Sequence, residues 1–265
     1  MRRNQMRRLL EGDRPALGAW TYLSDPALIE IMAAVGLDYT CIDMEHNGLD
    51  MEGLQSHLRA AYAGNLAAIV RVWKNEPELI MRILDCGADG VVVPHVDTAE
   101  EARAAVSACR YPPLGHRGWS SHSRAGEYGA HGAKSEVDFA QQINRDVVCG
   151  VYIEDIEAVK NIDEIVSVPG VDFCQIGPSD LTASMGLTGH SQRPEVGEAI
   201  NRVHDACMAA GVKLGMTVEH GAYSISYPVL EAQGYKALIV GSDAGMVIKG
   251  FEARLKQLRG KAKDL

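Results

Sequence analysis

The chain has no excess of basic charge: across 265 residues, 26 Lys and Arg stand against 35 Asp and Glu, a net charge of −9. Nucleic acid and anionic membrane surfaces both reward basic patches, so neither is expected as a partner. No Cys-x-x-Cys pair occurs. Cys41, Cys86, Cys109, Cys149, Cys174 and Cys207 stand singly, most of them in apolar segments. That pattern predicts buried free thiols in a reducing compartment. No apolar run approaches the ~18 residues that a membrane span needs. The basic stretch Met1–Arg8 is not followed by the apolar core of a signal peptide. A soluble cytoplasmic protein is the expectation. There is no Gly-x-x-x-x-Gly-Lys phosphate loop, no linker, no low-complexity tract and no short internal repeat.

What is present is ordinary for a folded enzyme-sized chain, with 46% hydrophobic and 23% charged residues, and the length suffices to bury a sizeable core. Apolar runs bounded by Gly, Pro, Asn and Asp predict strands at Leu17–Tyr22, Tyr39–Ile42, Ala67–Val72 and Gly90–Val93. Four more are predicted at Val147–Ile153, Phe173–Ile176, Lys213–Val218 and Ala237–Val240. Helices are predicted at Pro26–Val35, Met51–Ala63, Glu76–Cys86 and from a Thr98 cap to about Cys109. Others follow at Val137–Asn144, Ala158–Val168, Pro194–Ala210, Ser224–Gln233 and Ala244–Leu258. Tyr111–Gly132 breaks the rhythm as a long loop of the kind that is often functional. Eight strands, each followed by a helix, predict an α/β (β/α)8 TIM barrel in a single domain over residues 1–265; a doubly wound open sheet is the alternative.

Barrel sites lie at the C-terminal ends of the strands, and those ends carry chemistry. Strand one has Trp20 near its end. The second strand runs into Asp43, Glu45 and His46, the third ends in Arg71, and His95 follows the fourth. Glu154 and Asp155 follow the fifth, Gly177-Pro178-Ser179-Asp180 the sixth, Thr217 and Glu219 close the seventh, and Gly241-Ser242-Asp243 ends the eighth. Glu154 and Asp180, on neighbouring strands, are the candidate ligands of a hard divalent cation such as Mg²⁺, Mn²⁺ or Co²⁺; the alternative is that each caps the helix after it. Arg71 could donate to a carboxylate or a developing enolate oxygen, or instead pair with Asp43. His46 is a candidate general base, oriented by Asp85, or a strand-end histidine without chemistry. No lysine lies in strand six and Lys213 sits at the wrong end of strand seven, which disfavours imine chemistry.

Ile42-Asp43-Met44-Glu45-His46, Arg71, Asp97-Thr98-Ala99-Glu100, Arg110-Tyr111-Pro112-Pro113 through Arg117-Gly118, and Gly177-Pro178-Ser179-Asp180-Leu181 together resemble the HpcH/HpaI aldolase family. These are metal-dependent, class II pyruvate aldolases, and the chain looks most like those acting on 4-hydroxy-2-oxoheptanedioate or 2-keto-3-deoxy-glucarate. The likeness runs from about Gly18 to Lys256. It implies cleavage of a 4-hydroxy-2-oxo acid to pyruvate and an aldehyde, with Glu154 and Asp180 as ligands of Mg, Mn or Co. It further implies His46 as base supported by Asp85, Arg71 at the enolate, and the pyruvate carboxylate held by backbone amides around Ser179. Trp20, Tyr152, Gly177, Pro178 and Ser179 would line the substrate site. The resemblance also implies a homohexamer, a trimer of dimers, with the last helix exchanged between subunits. Tyr152 replaces a usual glutamine and His95 a usual bulky apolar residue; both bear on the choice of aldehyde. A related enolate-forming lyase or synthase, of the acyl-CoA lyase or decarboxylating type, is the second reading, and a non-catalytic metal-binding barrel the third.

Overall fold

Alternation along each apolar run sorts the side chains into two separate cores. In the computed structural model, which describes residues 4–130, 136–190 and 192–260, Tyr39, Cys41, Ala67, Ile69, Val148, Phe173 and Ile239 turn inward in one buried cluster. Their neighbours Ile42, Ala68, Val70, Cys149, Val151, Cys174 and Leu238 turn outward against the helices. A period of two on strands that are buried on both faces has this consequence.

The strands β1 (Ala16–Thr21), β2 (Tyr39–Asp43), β3 (Ala67–Arg71), β4 (Gly90–Val93), β5 (Val148–Ile153), β6 (Phe173–Ile176), β7 (Lys213–Thr217) and β8 (Ala237–Ser242) are all parallel. They close in sequence order into a barrel, with β8 pairing back to β1. Close approach decides two interior positions. A Cβ at Gly18 would lie 2.5 Å from the Tyr39 ring, and one at Gly150 2.3 Å from the Phe173 ring. Glycine beside aromatic fills the interior where two larger side chains would collide. The (β/α)8 expectation therefore holds and the open sheet does not.

Most helices fall where the sequence places them: α2 (Ala27–Ala34), α3 (Met51–Ala63), α4 (Pro77–Asp85), α5 (Ala99–Cys109), α6 (Glu136–Asp146), α10 (Pro194–Ala210), α11 (Tyr227–Ala232) and α12 (Asp243–Arg259). Three differ. The first, α1 (Gln5–Leu10), begins in the stretch Met1–Arg8 read only as basic and runs two residues past it, and its Met6 and Leu10 are buried in the inner core. The helix expected at Ala158–Val168 divides at Asn161 into α7 (Ile156–Lys160) and α8 (Ile162–Val166). A short helix, α9 (Pro178–Ser184), starts directly after β6, with Pro178 at its first position. The long loop holds a single 3₁₀ turn, Glu127–Gly129; residues 131 and 132, like 1–3 at the basic start, lie outside the described residues.

No long unit repeats in the sequence, but one turn recurs at the N-terminal end of the barrel. Gly36-Leu37-Asp38, Gly87-Ala88-Asp89 and Gly170-Val171-Asp172 precede β2, β4 and β6. Each glycine has φ near +90° (91°, 92° and 100°), which only glycine adopts cheaply. Each aspartate then clamps the preceding strand twice. Its backbone N–H donates to the carbonyl of Leu17, Ala68 or Cys149 at 2.8 Å. Its carboxylate accepts the N–H of that same residue, at 2.9, 2.9 and 2.8 Å respectively. Before β8 the pattern continues as Gly234-Tyr235-Lys236, where the Lys236 ammonium donates to the carbonyls of Gly12 and Asp13 instead.

Among these clamps Asp38 gives a pH signature. Burial alone would raise its carboxyl, but the hydrogen bonds from Arg14 and from the Leu17 N–H outweigh that and hold it below the ordinary carboxylate value. A lowered folded-state pKa means stability that is present above the unfolded value and lost as pH falls through the folded one. We expect Asp38→Asn to cost about 1 kcal/mol at pH 7, the partly exposed Arg14 adding little, or about 2–4 °C in Tm. The gap to the wild type should close below about pH 4. Thermal melts across pH 3 to 8 measure this, and a pH-independent gap would remove the charge from the account.

Candidate active site

At the C-terminal mouth of the barrel one carboxylate sets the geometry. Asp43, the last residue of β2, is fully buried. Its Oδ1 accepts from Arg71 Nε at 3.1 Å and its Oδ2 from Arg71 Nη2 at 2.5 Å. The same Oδ1 accepts the backbone N–H groups of Glu45 at 2.8 Å and His46 at 3.3 Å. Burial alone would lower the Arg71 pKa; the Asp43 hydrogen bond outweighs it and keeps the guanidinium charged. Trp20 lies under the guanidinium at 4.6 Å and Tyr152 at 5.4 Å. The two readings of Arg71 are thus compatible: it pairs with Asp43, and it still faces the cleft.

A chain of close polar contacts runs on around the mouth. Arg71 Nε lies 3.3 Å from Glu45 Oε2, Glu45 Oε1 3.2 Å from His95 Nε2, and His95 Nδ1 3.3 Å from Glu154 Oε1. The backbone N–H of His95 also donates to Glu154 at 3.0 Å. Glu154 is buried, and that burial pushes its carboxyl up to about 7 against the lowering effect of His95, with Glu45 and Asp180 adding repulsion.

Neither carboxylate proposed as a ligand is a helix cap. Asp155, not Glu154, caps α7 by accepting from the Glu157 N–H at 2.8 Å. Asp180 sits exposed in the first turn of α9, whose cap is Gly177. A desolvated carboxylate beside an exposed one suits a hard divalent cation that keeps several positions open. Among the described residues no group of three or more His, Cys, Asp or Glu side chains forms a closed metal cage, so water or substrate would complete the set.

Trp20, His46, Arg71, Tyr152, Gly177, Pro178, Ser179 and Asp180 all line one cleft of about 360 Å³. Gly177 is required there, because a Cβ would lie 2.2 Å from the Tyr152 ring. Asp85 is not part of this group. It ends α4, away from the mouth, and its carboxylate pairs with Arg117 at 2.6 Å, while the nearest acid to the exposed His46 is Glu45 at 3.6 Å. Within this chain the expected His46–Asp85 support is therefore absent.

The sequence reading also missed parts of the wall. Tyr22, His220, Met246 and Lys249 line the same cleft. Burial lowers the His220 pKa, against the opposing charge of Asp180. Asp243, buried at the start of α12, accepts the N–H groups of Tyr22 and Leu23 and so ties the loop after β1 to that helix. Only the Gly-Ser-Asp turn hinted at it.

The same fold recurs in known proteins. The chain is 35% identical over 253 residues to a 2-dehydro-3,6-dideoxy-6-sulfogluconate aldolase of Pseudomonas putida, covering 96% of each chain. It is 35% identical over 243 residues to a 5-keto-4-deoxy-D-glucarate aldolase of Escherichia coli (strain K12 / DH10B), covering 92% of each. The crystal structure of an HpcH/HpaI aldolase/citrate lyase family protein from Burkholderia cenocepacia J2315 superposes with a TM-score of 0.87 at 33% identity, over 97% of this chain and 99% of that one. With the family model matching residues 16–249, the chain belongs to the HpcH/HpaI aldolase/citrate lyase family and is a carbon–carbon lyase.

Proposed function

We propose that the protein reversibly cleaves a 4-hydroxy-2-oxo acid to pyruvate and an aldehyde. The observation that carries this reading is the convergence of Arg71, fixed by Asp43, and the Gly177–Asp180 turn on one cleft beside the desolvated Glu154. The family depends in general on a divalent metal, and Glu154 and Asp180 are the residues that would hold it. When bound, such a cation would act as a Lewis acid toward the 2-oxo acid.

The chain's own groups supply the rest. The first-turn amides of Ser179 and Asp180 have no helical carbonyl ahead of them and can hold the substrate carboxylate. His46 takes the C4 hydroxyl proton, the C3–C4 pair moves toward the C2 carbonyl, and Arg71 donates to the oxygen on which charge develops. Trp20 and Tyr152, both largely buried, keep water away from the guanidinium. Arg71 needs no reorientation in this step, because Asp43 already holds it.

The six free cysteines, all buried, support a reducing, cytoplasmic location. Among the described residues no helix is long and apolar enough to cross a membrane. From Met246 to its end α12 is exposed all round, and Ile248, Phe251 and Leu258 on it stand at 58%, 69% and 64% exposure. Those exposed apolar side chains support exchange of α12 between subunits of a homo-oligomer, a hexamer on the family pattern.

Three measurements test this reading. Pyruvate release from a panel of 4-hydroxy-2-oxo acids should be abolished by chelator and restored by Mg²⁺, Mn²⁺ or Co²⁺. No release from any substrate would favour another enolate partner, and chelator-insensitive release would exclude the metal. Arg71→Lys keeps the charge but not the two-point grip, and should lower kcat/KM by about 100-fold or more; near-normal turnover would sink the assignment. Light scattering should report an oligomer that Phe251→Asp dissociates, whereas a wild-type mass of one chain removes the exchange.

A further inference from the structure

The segment 218–226 between β7 and α11 carries a histidine that the catalytic reading leaves without a task. His220 is half-buried and lines the cleft beside Ser179, Asp180 and Thr217. Glu219, just before it, has φ +48°, a left-handed turn in which a non-glycine residue is uncommon. The Glu219 N–H donates to the Ile225 carbonyl at 2.9 Å and closes the loop.

The ring has a defined polarity. The backbone N–H of Ala222 donates to His220 Nδ1 at 3.0 Å. An accepting Nδ1 carries no proton, so the ring is neutral and its hydrogen sits on Nε2. Nε2 has no protein partner among the described residues. His220 is therefore built as a hydrogen-bond donor into the cleft, and it is not built as a base.

Strand order says what it meets, given the function proposed above. The 2-oxo acid end of the substrate is taken up by Arg71 on β3 and by the β6 turn at Ser179. The C4 hydroxyl turns to His46, after β2. The remaining substituent on C4 is then left the rest of the lining, most of which comes from the ends of β7 and β8 and the segments after them, with Trp20 and Tyr22 of the β1 end beside them. We propose that His220 is a specificity-determining residue for the aldehyde half, its Nε2–H donating to an oxygen on the carbon next to the reacting carbonyl. The acceptor class this selects is a 2-hydroxyaldehyde or a similarly oxygenated aldehyde over a plain alkyl one.

The test compares pyruvate addition to glycolaldehyde and to propanal, which have the same number of heavy atoms, in the wild type, His220→Ala and His220→Gln. Exchange of the pyruvate methyl protons in D₂O, followed by NMR, reports the pyruvate half alone. His220→Ala should lower kcat/KM for glycolaldehyde by about tenfold, one neutral hydrogen bond's worth, with propanal and the proton exchange unmoved. His220→Gln, which still donates, should recover part of the loss. An unchanged glycolaldehyde value, an equal loss for both aldehydes, or a loss of proton exchange in His220→Ala would each overturn the assignment. A wild type that exchanges no pyruvate protons would instead overturn the aldolase reading on which it rests.

Discussion

The mouth of this barrel depends on the pairing of Asp43 with Arg71. Desolvating two such charges costs several kcal/mol each, and their attraction repays this only when the geometry and the remaining hydrogen bonds are good. Here they are: Asp43 accepts twice from the guanidinium and twice from the backbone of the turn that follows. The pair is thus better understood as a positioning device than as a source of stability. One carboxylate aims the guanidinium and fixes the backbone that carries Glu45 and His46. An oxyanion donor held in this way needs no reorganisation when charge develops, which is where such donors gain most of their effect.

From that pair close polar contacts continue around the mouth through Glu45 and His95 to Glu154. His95 replaces an apolar residue expected from the family pattern, and the structure gives the replacement a physical role. It places a donor between two acids that would otherwise repel across the strand ends. Glu154 still lies in surroundings that favour its neutral form. A cation brought to that carboxylate would relieve a cost that His95 relieves only in part.

The strands, the helices that cover them and the polar character of one barrel end were legible because each rests on local pattern: a period of two, caps, and acids or imidazoles directly after apolar runs. What escaped depends on contacts distant in sequence. The inner face of α1 packs under the barrel through Met6 and Leu10, yet six residues hold too few turns to show a period. The Gly-x-Asp clamps stand 51 and 83 residues apart, and their meaning lies in bonds to other strands. The pairing of Asp85 with His46 rests on the family resemblance and on no local pattern around Asp85. Its place at the end of α4, against Arg117, is set by the loop that follows α5. His220 sits in a segment without periodicity, so nothing local distinguishes it from a surface histidine.

The two ends of the barrel use one backbone conformation for opposite purposes. At the N-terminal end the left-handed turns before β2, β4, β6 and β8 fall to Gly36, Gly87, Gly170 and Gly234. Glycine carries no Cβ penalty there, and the turns serve stability. At the C-terminal end the corresponding positions after β4 and β7 are His95, at φ +53°, and Glu219, at φ +48°. A side chain in that region costs about 1 kcal/mol or more, which persists only where the surroundings over-determine it. At His95 the return is contact with Glu45 and Glu154; at Glu219 it is a turn that brings His220 to the cleft wall. Asn65 before β3 and Glu127 and Tyr128 in the loop after α5 share the conformation, so it is not peculiar to the mouth. What distinguishes His95 and Glu219 is that there the turn aims side chains at the charged cluster and the cleft.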